Sequence, residues 1–214
     1  MKNIVFACVI AGAMALPAYA ALQEHEAAPD FHAKASLAGK TFTFSLKEAL
    51  KKGPVVVYFY PSAYTRGCNL QAHTFAVNYD KFAATGATII GVSLDSIARL
   101  NEFSADPDYC AGKIAVASDP DGKIAKAYGL TVKEAAAGRK DTRGIDIDHG
   151  FAERTTFIVT SDDKITAIIG GIAPDENVQK ALDAVKGLAA VKPAPTTGWS
   201  IPNDLNLAIQ QSGK

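Results

Sequence analysis

One short stretch of this 214-residue chain combines the residue types and spacing that sulfur chemistry needs: Pro61, Ser62, Ala63, Tyr64, Thr65, Arg66, Gly67 and Cys68. An apolar run from Val55 to Tyr60 precedes it and reads as a buried strand. Residues from Arg66 to Ala84 read as a helix, with Gly86 as its stop. The spacing therefore predicts Cys68 at or just inside a helix N-terminus. There, unpaired backbone N–H groups and the positive end of the helix dipole favour the thiolate. The thiolate is the nucleophilic form of cysteine. The alternative reading is a buried, inert cysteine. Thr65 is also the residue type that caps helices.

The chain has three cysteines and four histidines. Lys2, an apolar stretch from Ile4 to Leu16, and the small-x-small triplet Ala18-Tyr19-Ala20 match a secretory signal peptide over 1–20. Cleavage after Ala20 removes Cys8 and leaves Cys68 and Cys110. The mature protein is then expected to be exported, to the periplasm if the source is Gram-negative. Two thiols in an oxidising compartment can pair as a structural disulfide. A domain of this size does not need one to fold. The 22 basic and 22 acidic residues are balanced, and losing Lys2 leaves one acidic residue in excess. That balance argues against nucleic acid or an anionic membrane as a partner. His25, His32, His73 and His149 show no paired metal-ligand spacing, so neither a metal nor a cofactor is expected.

Positioning Cys68 falls to the surrounding elements. Ala21 to Ala28 reads as a mobile arm, with order beginning at Pro29-Asp30-Phe31. Lys40 to Ser45 alternates Phe42 and Phe44 with polar residues, as a half-buried strand does. Leu46 to Lys52 reads as one or two helical turns. Ala87 to Ser93 reads as a second buried strand, and Asp95 or Ser96 can cap the helix that follows. Ile114 to Ala117 is a short third strand. A helix from Asp119-Pro120-Asp121 runs to Tyr128, and Thr131 to Gly150 reads as a long polar loop. Thr155 to Thr160 and Lys164 to Ile169 form a hairpin about Ser161-Asp162-Asp163. Pro174 to Ala190 is an amphipathic helix. The segment 192–214 reads as an extended tail, with Trp199, Leu205, Leu207 and Ile209 available to dock it. The element order predicts an α/β sandwich: a mixed sheet with helices on both faces. One domain over 21–191 suits the length.

The Pro-x-x-x-Thr-x-x-Cys spacing after a Phe-Tyr strand end resembles the peroxiredoxin family, the alkyl hydroperoxide reductase and thiol-specific antioxidant group. Ala28-Pro29-Asp30-Phe31, Ile90 to Asp95, and Glu153-Arg154-Thr155-Thr156-Phe157-Ile158-Val159 resemble further stretches of that family. The bacterioferritin-comigratory branch, or peroxiredoxin Q, is the most similar subgroup. The resemblance implies a thioredoxin-like three-layer sandwich and a thiol-dependent peroxidase acting on hydrogen peroxide or organic hydroperoxides. It implies Cys68 as the peroxidatic cysteine, Thr65 as its hydroxyl partner, Pro61 as its shield and Arg154 as its guanidinium. It implies an external thiol reductant, either thioredoxin-like or a small thiol, and a monomer or homodimer. Many relatives carry glutamate where this chain has Gln71. The branch often places a resolving cysteine where this chain has His73; other members place it in the helix after the second core strand, near Cys110, so the resemblance implies Cys110 as a possible resolving cysteine, a free or structural thiol being its alternative. Arg154 could instead pair with Glu153 at the surface.

Two other functions remain open at this level. One is an exported disulfide oxidoreductase, which the absence of Cys-x-x-Cys around Cys68 argues against. The other is a non-catalytic thioredoxin-fold module that keeps the cysteine as a redox sensor.

Overall fold

The computed structural model describes residues 22–191. The expected signal peptide and tail lie outside the described residues. The chain runs through β1 (His32–Leu37), β2 (Lys40–Ser45), α1 (Leu46–Leu50), β3 (Val55–Phe59), α2 (Arg66–Val77) and α3 (Tyr79–Ala83). It continues through β4 (Thr88–Ser93), α4 (Ile97–Ala105), β5 (Ala115–Ser118) and α5 (Lys123–Ala127). It ends with β6 (Val132–Lys133), β7 (Phe151–Ala152), β8 (Thr155–Val159), β9 (Ile165–Gly170) and α6 (Pro174–Val191).

Seven strands form one sheet in the order β2-β1-β5-β4-β3-β8-β9. The central trio β5-β4-β3 is parallel, and β1 and β8 join it antiparallel. β3 is buried on both faces, which explains its unbroken apolar run. Its alternate side chains feed two cores. Val56 and Tyr58 pack with Phe75, Leu100, Phe103, Val178 and Leu182, under α2, α4 and α6. Val55, Val57 and Phe59 pack with Leu46, Leu50, Ala125 and Tyr128, under α1 and α5. Helices therefore cover both faces, as in a three-layer α/β sandwich of thioredoxin-like architecture. Gly91 on β4 faces Tyr58 across the ladder, where a Cβ would stand 2.5 Å from the ring carbon Cζ. Glycine is what lets this ring lie flat under Phe75, at 4.5 Å between centroids.

Several local expectations need correction. The arm is not loose: His25 N–H donates to the Ile165 carbonyl at 2.7 Å, and Ala28 N–H to that of Asp163 at 2.8 Å. β1 has no counterpart in the sequence reading, because Ala33, Ala35 and Ser36 fill its buried positions with side chains too small to give a pattern. The helix expected over 66–84 is two helices. At Asn78 the backbone leaves the helical region, and the side-chain amide donates to the Thr74 carbonyl at 2.9 Å. Leu70 on α2 faces outward at 45% exposure. The 131–150 segment is not simply a polar loop. Its β6 pairs with β7, and Asp141 and Ile147 are buried.

Candidate active site

β3 ends beneath the N-terminus of α2, and residues 60–65 turn the chain between them. Thr65 takes the N-cap position with extended backbone, yet its side chain makes no capping bond. Its hydroxyl instead donates to the Ser62 carbonyl at 2.8 Å, which tightens the turn. Cys68 lies in the first turn of α2 and is only 2% exposed. Arg154, just before β8, reaches across to it: Nη2 donates to Cys68 Sγ at 3.3 Å. The surface pairing of Arg154 with Glu153 is not what the structure shows. Gly67 makes room for this contact, since a Cβ there would stand 3.2 Å from Arg154 Nη2.

A chain of neutral amides aims the guanidinium. Arg154 Nη1 donates to Gln71 Oε1. Gln71 Nε2 donates to Asn177 Oδ1 at 3.0 Å, and Thr156 Oγ1 donates to the same oxygen at 2.6 Å. Asn177 Nδ2 completes the chain on the Ile169 carbonyl at 2.8 Å. Gln71, Thr156 and Asn177 are all fully buried. A carboxylate in place of Gln71 would compete with the sulfur for the positive charge; the amide holds the arginine without neutralising it. Sequence reading flagged Gln71 only as a departure and missed Asn177, which is 106 residues away.

Two adjoining clefts open over this arrangement. One, of about 370 Å³, is lined by Pro61, Thr65, Arg66, Gly67, Arg139, Phe151 and Arg154. The other, of about 440 Å³, shares Pro61, Phe151 and Arg154. Pro61 thus forms part of the wall where Arg154 meets solvent. A small polar molecule in the first cleft would meet the guanidinium and the Thr65 hydroxyl together.

Cys110 follows α4 and is fully buried, unbonded, in the same core cluster as Cys68. Burial, and then the nearby Asp106 carboxylate, push its thiol strongly up, so it stays protonated. The Tyr58 hydroxyl is buried with no hydrogen-bond partner among the described residues. Burial raises its ionisation well above the usual range, and both thiols lie near enough to raise it further. Both cysteines therefore belong to the core on one face of the sheet, Cys68 on α2 itself and Cys110 fully buried in the same cluster.

A second buried network adjoins the first. Asp95, fully buried after β4, accepts from Ala63 N–H at 2.8 Å, Ser93 Oγ at 2.7 Å and Ser62 Oγ at 3.0 Å. His149 Nε2 donates to it at 2.9 Å, and Arg99 Nε lies 2.9 Å away. His149 Nδ1 faces the Gly150 carbonyl at 2.8 Å. The Gly150 carbonyl and an ionised Asp95 carboxylate both accept, so this pair of contacts favours a ring protonated on both nitrogens. Burial opposes that charge, but the Asp95 carboxylate outweighs it and raises the ring's ionisation above the ordinary value. Burial likewise opposes the Asp95 charge, and its donors outweigh it. Ser96, rather than Asp95, caps α4.

The sign of the pH dependence follows. A histidine raised on folding stabilises fully below its unfolded value of about 6.5, and that contribution is lost as pH rises through the folded value. Asp95 behaves oppositely: its contribution is present above about 4 and lost as pH falls through its depressed folded value. Only Asp95, Arg99, Ser62, the Gly150 carbonyl and the Phe151 ring face the imidazole in the contacts described. Urea unfolding should find wild type more stable than His149→Gln by on the order of 1–2 kcal/mol at pH 5.5. The gap should narrow as pH rises through the ring's raised folded value; a gap independent of pH would mean a neutral ring.

Known proteins resemble this chain over most of its described length. The profile of the AhpC/TSA family matches residues 25–168. The Helicobacter pylori (strain J99 / ATCC 700824) protein named "Putative peroxiredoxin bcp" is 29% identical over 164 residues, covering 77% of this chain and 98% of that protein. The crystal structure of peroxidoxin BcpB from Mycobacterium tuberculosis superposes with a TM-score of 0.65 at 25% identity, over 80% of this chain and 99% of that one. The bacterioferritin comigratory protein of Xanthomonas campestris superposes with a TM-score of 0.58 at 24% identity, over 73% of this chain and 91% of that one.

Proposed function

The chain belongs to the AhpC/TSA family of peroxiredoxins, which are thiol-dependent peroxidases, and on that footing we propose that Cys68 is the sulfur that attacks the peroxide. One observation carries the reading: a guanidinium N–H stands 3.3 Å from a helix-start thiol under an open cleft. The Cys68 thiolate attacks the terminal oxygen of R–O–O–H. The O–O bond breaks, the sulfur keeps that oxygen and its hydrogen as sulfenic acid, and RO⁻ leaves and takes a proton. Arg154 offers charge-assisted N–H bonds to the oxygens as charge builds. The Thr65 hydroxyl, in the same cleft, orients the peroxide, and Pro61 keeps bulk water from the sulfur. R is hydrogen or an organic group.

The second half of the cycle brings in another thiol. Cys68–SOH and a thiol condense to a disulfide and water, and an external dithiol then reduces it. We assign Cys110 as that thiol, on its place in the same core cluster. The pattern of residues 1–20 supports export, with a thioredoxin-like or small-thiol reductant in the receiving compartment.

The test is peroxide consumption by residues 21–214 with a dithiol reductant. Cys110→Ser should consume about one peroxide per Cys68 and then stall with a dithiol that must act on an intramolecular disulfide. Unchanged steady turnover would remove Cys110 from the cycle and leave a one-cysteine mechanism.

A further inference from the structure

The chain has five arginines, and they fall into two groups. Arg99 and Arg143 are met by carboxylates. Asp95 lies 2.9 Å and Asp141 2.8 Å from Arg99, and Glu102 lies 2.9 Å and Asp141 3.2 Å from Arg143. Arg66, Arg139 and Arg154 pair with no carboxylate among the described residues. All three line the cleft of about 370 Å³ beside Cys68, and its lining includes no acidic residue. Glu153 lines only the adjoining cleft.

A different part of the fold places each of the three. Arg154 is aimed by Gln71 and gives one N–H to the sulfur. Arg66 opens α2, where no side chain caps the first N–H groups and the helix adds its own positive end. Arg139 comes from the segment between β6 and β7. Its backbone is tied on both sides: its N–H donates to the Ala136 carbonyl at 3.2 Å, and its carbonyl accepts from Ile147 N–H at 2.8 Å. Its guanidinium carbon lies 5.5 Å from the centroid of the Phe151 ring, which is part of the cleft wall. The next residue, Lys140, spends its charge on Asp146 at 2.6 Å.

Hydrogen peroxide would leave most of this cleft empty. A water takes about 30 Å³ of liquid and hydrogen peroxide roughly twice that. Pro61 and Phe151 offer apolar wall to an organic body. The positive charge also exceeds what the O–O bond needs, because Arg154 and Thr65 already serve the reacting oxygens. Two further guanidiniums without a counter-charge suit a carboxylate, whose oxygens accept paired N–H bonds from such a fork.

We propose that the preferred substrate is an organic hydroperoxide carrying a carboxylate close to its O–O bond, with Arg139 and Arg66 holding the carboxylate while Arg154 and Thr65 hold the peroxide. The proposal rests on the peroxidase reading of Cys68 and narrows its substrate class. The carboxylate must lie near the O–O bond because Arg139 and Arg154 line the same small cleft; one at the far end of a long acyl chain would fall outside it. The reaction itself is unchanged. The S–O bond forms, the O–O bond breaks, the alkoxide leaves and takes a proton, and the carboxylate keeps its charge throughout. No further oxidant or reductant enters. Of the three arginines, Arg139 alone belongs neither to α2 nor to the Arg154–Gln71 chain. Its side chain is exposed, so substitutions there leave the core undisturbed.

The experiment follows second-order oxidation of Cys68 by stopped flow with three oxidants. They are a tertiary hydroperoxide bearing a carboxylate two carbons from the O–O bond, its methyl ester, and hydrogen peroxide. Each rate is normalised to that of a small free thiol. Wild type should react with the acid about tenfold faster than with the ester at low salt, as expected for a pair of charge-assisted contacts near the surface. Added salt should narrow the gap. Arg139→Gln should bring the acid-to-ester ratio close to one, Arg139→Glu should invert it, and Arg139→Lys should keep most of it. The ester rate in each variant is the internal reference. A merely structural role would lower both rates together and leave the ratio at its wild-type value, which would overturn the proposal. Lys140→Gln removes one positive charge just outside the cleft. If it cut the ratio as far as Arg139→Gln does, the preference would belong to the general field of the surface, and the site would be overturned too. Wild type separates this idea from the reading beneath it. If it reacts with none of the three oxidants, the peroxidase reading has failed; if it reacts with acid and ester alike, only the carboxylate site has.

Discussion

Cys68→Ser is expected to abolish peroxide turnover while leaving the fold intact. Serine nearly matches cysteine in shape, and the Arg154 Nη2 that donates to Sγ at 3.3 Å can donate to a hydroxyl instead. The burial of residue 68 is therefore preserved. What disappears is the nucleophile: a serine hydroxyl is far from ionised near neutral pH and nothing beside it acts as a base. Loss of a catalytic nucleophile typically costs on the order of 10⁴-fold or more in rate. Peroxide consumption with a dithiol should fall to the background of the reductant alone. Mass analysis after a single peroxide equivalent should find no added oxygen at residue 68, with circular dichroism unchanged. Turnover within tenfold of wild type would place the reactive sulfur elsewhere, and among the described residues that leaves Cys110.

Arg154→Ala is expected to have the next largest effect. Here the expected loss is in reactivity rather than in the reacting atom. Among the described residues the guanidinium is the only side-chain cation in hydrogen-bond contact with the sulfur, and it also lines both clefts. Removing one preorganised donor from a site of developing negative charge typically costs about 10²–10³ in rate. Second-order oxidation of Cys68, followed by stopped flow, should slow by that factor. Arg154→Lys should recover only part of it. An ammonium is a point charge and cannot place one N–H on the sulfur and another on Gln71 in a fixed plane. The Gln71→Ala variant then separates charge from aim. It keeps the cation but frees the guanidinium from the Gln71–Asn177 chain, and should fall between wild type and Arg154→Ala. If Arg154→Ala oxidised as fast as wild type, electrostatic activation would have to come from the helix start alone.

The sandwich itself was readable because burial leaves a periodic mark. β3 is apolar throughout since both faces are covered, and α6 repeats Val178, Leu182 and Val185 on one face since the other is wet. Where small residues do the burying, the mark is absent, and β1 was missed for that reason. The helix from 66 was read too long because nothing in its composition announces that the Asn78 side chain will take a backbone bond. The arm was read as free because its pairing with β9 uses backbone groups, which every residue carries.

Local order along the chain was enough to single out Cys68 as the candidate sulfur. Strand end, proline, hydroxyl and cysteine lie within eight consecutive residues, and a helix start polarises whatever side chain sits there, whichever way the rest of the protein folds. The partners of that sulfur are another matter. Gln71 and Asn177 meet 106 residues apart, and Asp95 meets His149 across 54. Hydrogen bonds between side chains depend on positions to within a few tenths of an ångström, and only the packed sheet and its helices set positions that closely. Tyr64 makes the same point from the opposite side. Its left-handed backbone runs against the preference of its own residue type, so no local signal could announce it; contacts from Thr142 and Arg143, far along the chain, are what hold it there.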